Sequence, residues 1–297
     1  MVPTNPKPDQ IAVYPASMHT ESPPILLTFG LSDPTSATGV QADLLTFASM
    51  GGYGVSVLTG YSSQDSRACD DVQSIDPDWI GDQARMLLED MPVAAFKVGS
   101  AVNAENVAAI AEIVSDYAET PLVVAPDFGL AGEHLLSADE LREATATLLV
   151  PQATVLVVSP ASAIALAQAV SENENLALDE AVSLLLEGGC EFVLVSDANA
   201  PQFTHTLYSD GGVVREDAWD RPAHNVAGAI DTLAAAVTAM LANDPQPTVP
   251  EAVCEAQEYL HQVLENAFRP GMGRHFPDRF FWARSEETDQ DIDAGDA

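Results

Sequence analysis

The sequence predicts an α/β fold, with helices layered over a largely parallel central sheet, on three observations. An apolar run, Ile25 to Phe29, stops at Gly30, and a polar loop with Asp33 and Pro34 leads into a helix carrying Val40, Leu44, Phe47 and Ala48 on one face. Near-continuous apolar runs at Val93–Val98, Leu122–Ala125, Thr154–Val158 and Phe192–Ser196 have the character of strands buried on both faces. Helical patterns alternate with these runs, as α/β crossovers require. At 297 residues the chain can bury a three-layer α/β core as one domain.

The elements follow in order. After the opening strand and helix, a second strand runs from Gly54 to Thr59, with Gln64 at its end. Crossover helices return the chain so that successive parallel strands carry their loops on one sheet edge, where small ligands bind. Asp33 and Gln64 should therefore share a pocket. Helical patterns span Trp79–Asp90, Ala104–Tyr117, Ala138–Leu149 and Asp179–Glu187, and in the second of these Val107, Ile110, Ala111 and Val114 form one apolar stripe. Phe203–Tyr208 and Val213–Glu216 flank Ser-Asp-Gly-Gly, an antiparallel hairpin signal. The closing helices are Ile230–Leu241 and Pro250–Asn266. There is no fixed-period repeat and no interdomain linker, so residues 25–282 read as one domain. The Pro-rich residues 1–24 read as a mobile arm, and the acidic residues 283–297 as a disordered tail.

Eleven basic residues face 45 acidic ones, for a net charge of −34. Such a surface repels phosphate backbones and anionic lipid, which argues against nucleic-acid and membrane partners. No apolar run reaches bilayer length, and residues 1–10 lack a basic region followed by an apolar one, so the expected location is the cytoplasm. Cys69, Cys190 and Cys254 are too widely spaced for a disulfide framework or a metal knuckle. The six histidines have no H-x-H or H-x-x-x-H spacing, and neither a G-x-G-x-x-G nor a P-loop motif is present. Ser32 and Ser159 have no paired histidine that would make either a nucleophile. The segment Arg269-Pro-Gly-Met-Gly-Arg274 reads as a turn after the last helix rather than a phosphate loop.

One stretch is more specific. Ser32, Asp33, Pro34, Gly39, Gln41, Ala42 and Asp43 stand in the order of the motif GSDPSGGAGIQADLKTF, and Gln64 falls at the end of a TALTAQ-like strand. Phe96–Ser100 (FKVGS) matches VKIGM weakly, and Arg269–Pro277 is similar to the ending of shorter single-domain versions. On these residues the chain resembles the hydroxymethylpyrimidine/phosphomethylpyrimidine kinases of thiamin biosynthesis, over about residues 25 to 280. The resemblance implies a ribokinase-like α/β/α fold, a small pyrimidine substrate, Mg2+ and ATP, and a homodimer, the usual assembly there. It places Asp33, Gln64 and Gly99 at the substrate.

Asn225–Leu233 aligns with the family pattern HG(T/S)GCTL through Gly228, Asp231, Thr232 and Leu233. An aspartate before an apolar helix either caps it or serves a reaction as base. The resemblance selects Asp231 as catalytic base, with Gly228, Ala229 and Ile230 forming the anion hole. Ile230 stands where the family has a second glycine, and a β-branched residue there is expected to hinder backbone approach to the phosphates. The family's NLPE reads Ser159-Pro160-Ala161-Ser162, its DP reads Ala125-Pro126 followed by Asp127, and its KGG reads Ser196-Asp197-Ala198. No metal ligands follow from these positions. Two alternatives stand beside the kinase: a non-catalytic pyrimidine-binding homologue, which the changes at the nucleotide end favour, and a pyridoxal-type kinase, which aspartate in place of the usual cysteine favours.

Overall fold

The computed structural model describes residues 22–128, 138–200, 202–243 and 245–283. The expected arm and tail fall almost wholly outside them. Of the arm's last residues, Pro24 is held, its carbonyl accepting from the Tyr53 amide at 2.9 Å.

Nine strands form one sheet: β1 (Ile25–Ser32), β2 (Tyr53–Gln64), β3 (Cys69–Ser74), β4 (Val93–Val98), β5 (Leu122–Val124), β6 (Val155–Val158), β7 (Phe192–Asp197), β8 (Phe203–Ser209) and β9 (Gly212–Trp219), in the order β3-β2-β1-β4-β5-β6-β7-β8-β9. The six strands from β2 to β7 are parallel neighbours, and the antiparallel β3, β8 and β9 lie at the two edges. On one face pack α1 (Gly39–Ser49), α7 (Ala229–Leu241) and α8 (Val249–Glu265). The other face carries α2 (Pro77–Asp90), α3 (Ala104–Ser115), α4 (Ala138–Ala144), α5 (Pro160–Ala169) and α6 (Leu178–Glu187). This is the expected three-layer α/β/α architecture. Leu27, Phe29, Phe96, Val98, Leu156 and Val158 bury into the α2–α6 layer, while Leu26, Ala95, Val155 and Val157 face α1 and α7. The alternation explains why these strands read as unbroken apolar runs.

Four elements differ from the sequence expectation. β2 continues to Gln64 because β3 pairs with its distal half, from Gly60 opposite Ser74 to Gln64 opposite Cys69. β3 itself, CDDVQS, carries no apolar run because it is an edge strand with one buried side chain, Val72. The alanine-rich α5 has almost no amphipathic period; its start is set by Ser159, whose Oγ accepts from the Ser162 amide at 3.1 Å, and by Pro160 in the first turn. The helix expected over Ala138–Leu149 is α-helical only to Ala144 and then widens into a π-helical turn, Thr145–Leu149. There Thr145 Oγ1 donates to the Leu141 carbonyl at 2.7 Å.

The sheet reverses its winding at β1. The chain leaves β1 through α1 on one face and returns to β4, on the other side of β1, through α2 on the opposite face. A crevice opens at the carboxyl ends of strands where crossovers diverge in this way.

Candidate active site

A cavity of about 610 Å³ occupies that crevice, within the usual range for small-molecule sites. Asp33, Gln64, Gly228, Ala229, Ile230 and Asp231 all line it. Gly99 does not; it lines a small adjoining cavity with Ser100 and Pro126, and its amide donates to the Phe29 carbonyl at 2.8 Å.

Asp33 organises the β1–α1 loop. Its Oδ1 accepts from the Thr35 amide at 2.7 Å, and its Oδ2 accepts from Thr35 Oγ1, the Thr38 amide and Thr38 Oγ1, each at 2.9 Å. Burial works to raise its pKa, but the hydrogen bonds from Thr35, Thr38 and the Gln64 side chain outweigh it and hold the carboxyl below its ordinary value. Gln41 locks the loop from below, its Oε1 accepting from the Asp33 amide at 3.0 Å and its Nε2 donating to Ser32 Oγ at 2.7 Å. Ser36, at the turn's apex, has φ of 60°.

Beneath the cavity lies a buried charge cluster. Thr28 and Lys97 are register partners on β1 and β4, so both side chains point to the α1/α7 face. Lys97 is fully buried, with Nζ 2.6 Å from Asp43 Oδ1 on α1 and 3.6 Å from Asp231 Oδ1 on α7. Thr28 Oγ1 donates to Asp43 Oδ2 at 2.7 Å. Burial opposes the Lys97 charge, yet the Asp43 and Asp231 carboxylates overcome it and place its pKa above the ordinary lysine value. Burial also pushes Asp43 upward against the pull of Lys97. At 2.6 Å the contact is a charge-assisted pair, and we read both groups as ionised.

The entry to α7 is built on Gly228. Its φ of 74° and the 1.9 Å that would separate a Cβ from the Ala37 carbonyl oxygen both require glycine. Ile230, by contrast, lies inside α7, in a helical conformation any residue adopts, so the expected obstruction by a β-branched residue is absent. The first helical hydrogen bond runs from the Thr232 amide to the Gly228 carbonyl at 3.0 Å, which leaves the amides of Ala229, Ile230 and Asp231 as first-turn donors without an intrahelical partner. Arg279 braces this turn from inside, donating to the carbonyls of Ser36 (3.1 Å) and Ala37 (2.9 Å) and to Thr232 Oγ1 (2.9 Å). Burial lowers its pKa. Arg279 and Lys97 received no role from the sequence. A lysine inside the apolar strand Phe96-Lys97-Val98 was a legible signal of a paired buried charge; nothing local marks Arg279.

With a carboxylate at a helix N-terminus above a buried lysine, in a crevice at the strand ends, the geometry suits transfer of an anionic group to a small alcohol. The sequence profile described as phosphomethylpyrimidine kinase matches residues 33–278. The chain belongs to the phosphomethylpyrimidine kinase family. A hydroxymethylpyrimidine/phosphomethylpyrimidine kinase of Streptomyces coelicolor is 31% identical over 258 residues, 85% of this chain and 93% of its own length. The Escherichia coli protein of the same description is 31% identical over 249 residues, 81% and 91% of the two chains. Among solved structures, Bacillus subtilis pyridoxal kinase in an ADP complex superposes with a TM-score of 0.79 at 23% identity, covering 89% of this chain and all of that one. A Clostridium difficile phosphomethylpyrimidine kinase gives a TM-score of 0.65 at 24% identity, covering 82% and 99%. These neighbours place the family member in the ribokinase-like fold. Among the described residues, no helix is long and apolar enough to cross a membrane.

Proposed function

We propose that this chain phosphorylates 4-amino-5-hydroxymethyl-2-methylpyrimidine, and its monophosphate in turn, with ATP as donor. The observation that carries the reading is Asp231, set at the N-terminus of α7 beside three first-turn amides and 3.6 Å from the buried Lys97 ammonium. Asp231 accepts the proton of the hydroxymethyl group as its oxygen attacks the transferring phosphorus. The amides of Ala229, Ile230 and Asp231 hold the phosphoryl oxygens, with Arg279 supplying positive charge under the same turn. Lys97, tied to Asp43, keeps the Asp231 carboxylate aimed. Gln64 hydrogen-bonds the aminopyrimidine, and Asp33 acts on the same ring through the loop it holds together.

Mg2+ is the metal the family implies, and the donors fit it. Asp127 and Asp197 line the cavity and offer hard oxygens, while among the described residues no three ligating side chains cluster. That suits an ion held by one or two carboxylates with substrate phosphates and water. Mg2+ neutralises developing phosphoryl charge when bound.

An ATP-consumption assay with hydroxymethylpyrimidine tests the reading. Asp231→Asn keeps the shape and should lower kcat by about 10²–10⁴-fold. Wild type that binds the pyrimidine yet consumes no ATP would replace the kinase with a binding protein.

A further inference from the structure

The segment between α8 and the last turn crosses the mouth of the cavity. Gly273 and Arg274 donate their amides to Ser66 Oγ (3.0 Å) and the Ser66 carbonyl (2.9 Å) at the tip of the β2–β3 hairpin. His275 then donates to the Asn225 carbonyl at 3.1 Å, and its own carbonyl accepts from the Ala227 amide at 2.9 Å, one residue before Gly228. This strap therefore ties the substrate end of the crevice to the anion-holding turn. Gly273 is required by the close approach, since a Cβ there would sit 2.0 Å from the Ser66 carbonyl oxygen. The sequence reading of Arg269–Arg274 as a mere turn misses this placement.

The three arginines of the region differ in what they hold. Arg67 donates to Met272 Sδ, and Arg269 donates to the carbonyls of Met272 and Gly273, so both brace the strap. Arg274 is anchored through its backbone alone. Arg274 lines the cavity, and also the shallower one beside His224 and Arg67, and its side chain has no hydrogen-bond or ion-pair partner among the described residues. The other charged groups lining that cavity are all carboxylates: Asp33, Asp65, Asp127, Asp197 and Asp231. In a chain with 11 basic residues, this cation is held at the mouth of an acidic cavity and is unpaired among the described residues.

From this placement we infer that Arg274 binds the phosphate of the phosphorylated pyrimidine and so selects the second of the two phosphorylations. The inference rests on the kinase reading of the same site. The two steps need different help. In the first, the nucleophile is a neutral hydroxyl and must lose a proton, which Asp231 takes. In the second, an already ionised phosphate oxygen forms the new bond to the γ-phosphorus while the bond to the β,γ-bridging oxygen breaks. The electron pair leaves on ADP, and no proton is abstracted. What this step lacks is a cation to admit a dianion among carboxylates, and a guanidinium matches phosphate geometry with paired donors.

The test is kcat/KM of wild type, Arg274→Gln, Arg274→Lys and Asp231→Asn with hydroxymethylpyrimidine and, separately, with its monophosphate. Arg274→Gln should lower the monophosphate value roughly 10–100-fold more than the alcohol value, the worth of a lost charge-assisted hydrogen bond. Arg274→Lys should restore part of that difference, and Asp231→Asn should depress the alcohol reaction more than the monophosphate reaction. Equal losses on both substrates would reduce Arg274 to a brace for the strap, and no loss on either would remove it from the site. Wild type that phosphorylates the alcohol but neither binds nor phosphorylates the monophosphate overturns the inference and leaves the kinase standing. Wild type inactive on both substrates overturns the kinase reading and the inference together.

Discussion

Gly228 and Ser36 show how narrowly single residues define the site. A methyl group at position 228 meets the Ala37 carbonyl oxygen at 1.9 Å and imposes a side chain on a left-handed φ. Gly228→Ala should therefore cost more than about 2 kcal/mol in chemical denaturation, from strain and the displaced carbonyl together, and take the pyrimidine reaction with it. Ser36 adopts φ of 60° where the family motif has glycine, so Ser36→Gly should stabilise the fold by about 0.5–1 kcal/mol, the relief of a left-handed conformation less the entropy of a freer unfolded chain. Unchanged or lowered stability would mean that the Ser36 side chain contributes more than its strain costs. Gln64→Leu should weaken pyrimidine binding by roughly 1–3 kcal/mol in titration calorimetry by leaving a polar group of the ring unpaired. Equal affinity would remove Gln64 from the substrate site.

At the level of elements, α7 corrects an expectation and α8 carries a pH dependence. Because Ile230 is already helical, Ile230→Gly should open nothing for the phosphates; it should lower stability by up to about 1 kcal/mol and leave the phosphorylation rate no higher. On α8, His261 faces His205 of β8 with their Nε2 atoms 3.1 Å apart, and Trp219 of β9 stacks on His261 at 4.1 Å between ring centroids. Burial lowers the pKa of His205 to about 3, with the neighbouring His261 adding to the effect, and burial alone lowers that of His261 to about 4. Both rings stay neutral in the folded chain while the unfolded chain protonates them near the ordinary histidine value of about 6.5. Their contribution is intact above pH 6.5 and is lost as pH falls from there toward the folded values, with each histidine costing about 1.4 kcal/mol per pH unit in between. Denaturation between about pH 6.5 and 5 should show this loss, and His261→Gln should flatten it; parallel slopes in the two proteins would place the acid sensitivity elsewhere.

The elements legible in the sequence were those whose burial leaves a period or an unbroken apolar run. β4 and β6 read clearly because both their faces are covered, and α3 because one stripe is. β3 and α5 did not, the first being mostly polar at an edge and the second alanine-rich with little amphipathic period. In the site, Asp33, Gln64 and Asp231 were readable from motif and strand position. Arg279 and Arg274 were not, because the first reaches the β1–α1 loop and the second the cavity through long-range contacts that local sequence does not record.

For the whole molecule, 45 acidic residues outnumber 11 basic ones, so cations cannot neutralise the carboxylates one for one and the folded state holds its surface against mutual repulsion. The melting temperature should rise between about 0.05 and 1 M NaCl as the Debye length shrinks, and a flat curve would show that the charges are balanced locally. The same global scale governs how the site comes into being. Arg279 holds the carbonyls of Ser36 and Ala37 across separations of 243 and 242 residues. At the roughly 5–20 residues per second of synthesis, the opening loop waits on the order of 10–50 s for that partner to be translated. On the ribosome this chain can shape its sheet strand by strand, yet its pocket is finished only once Arg279 has been translated, so a transcript cut short before that codon should yield protein without a competent site.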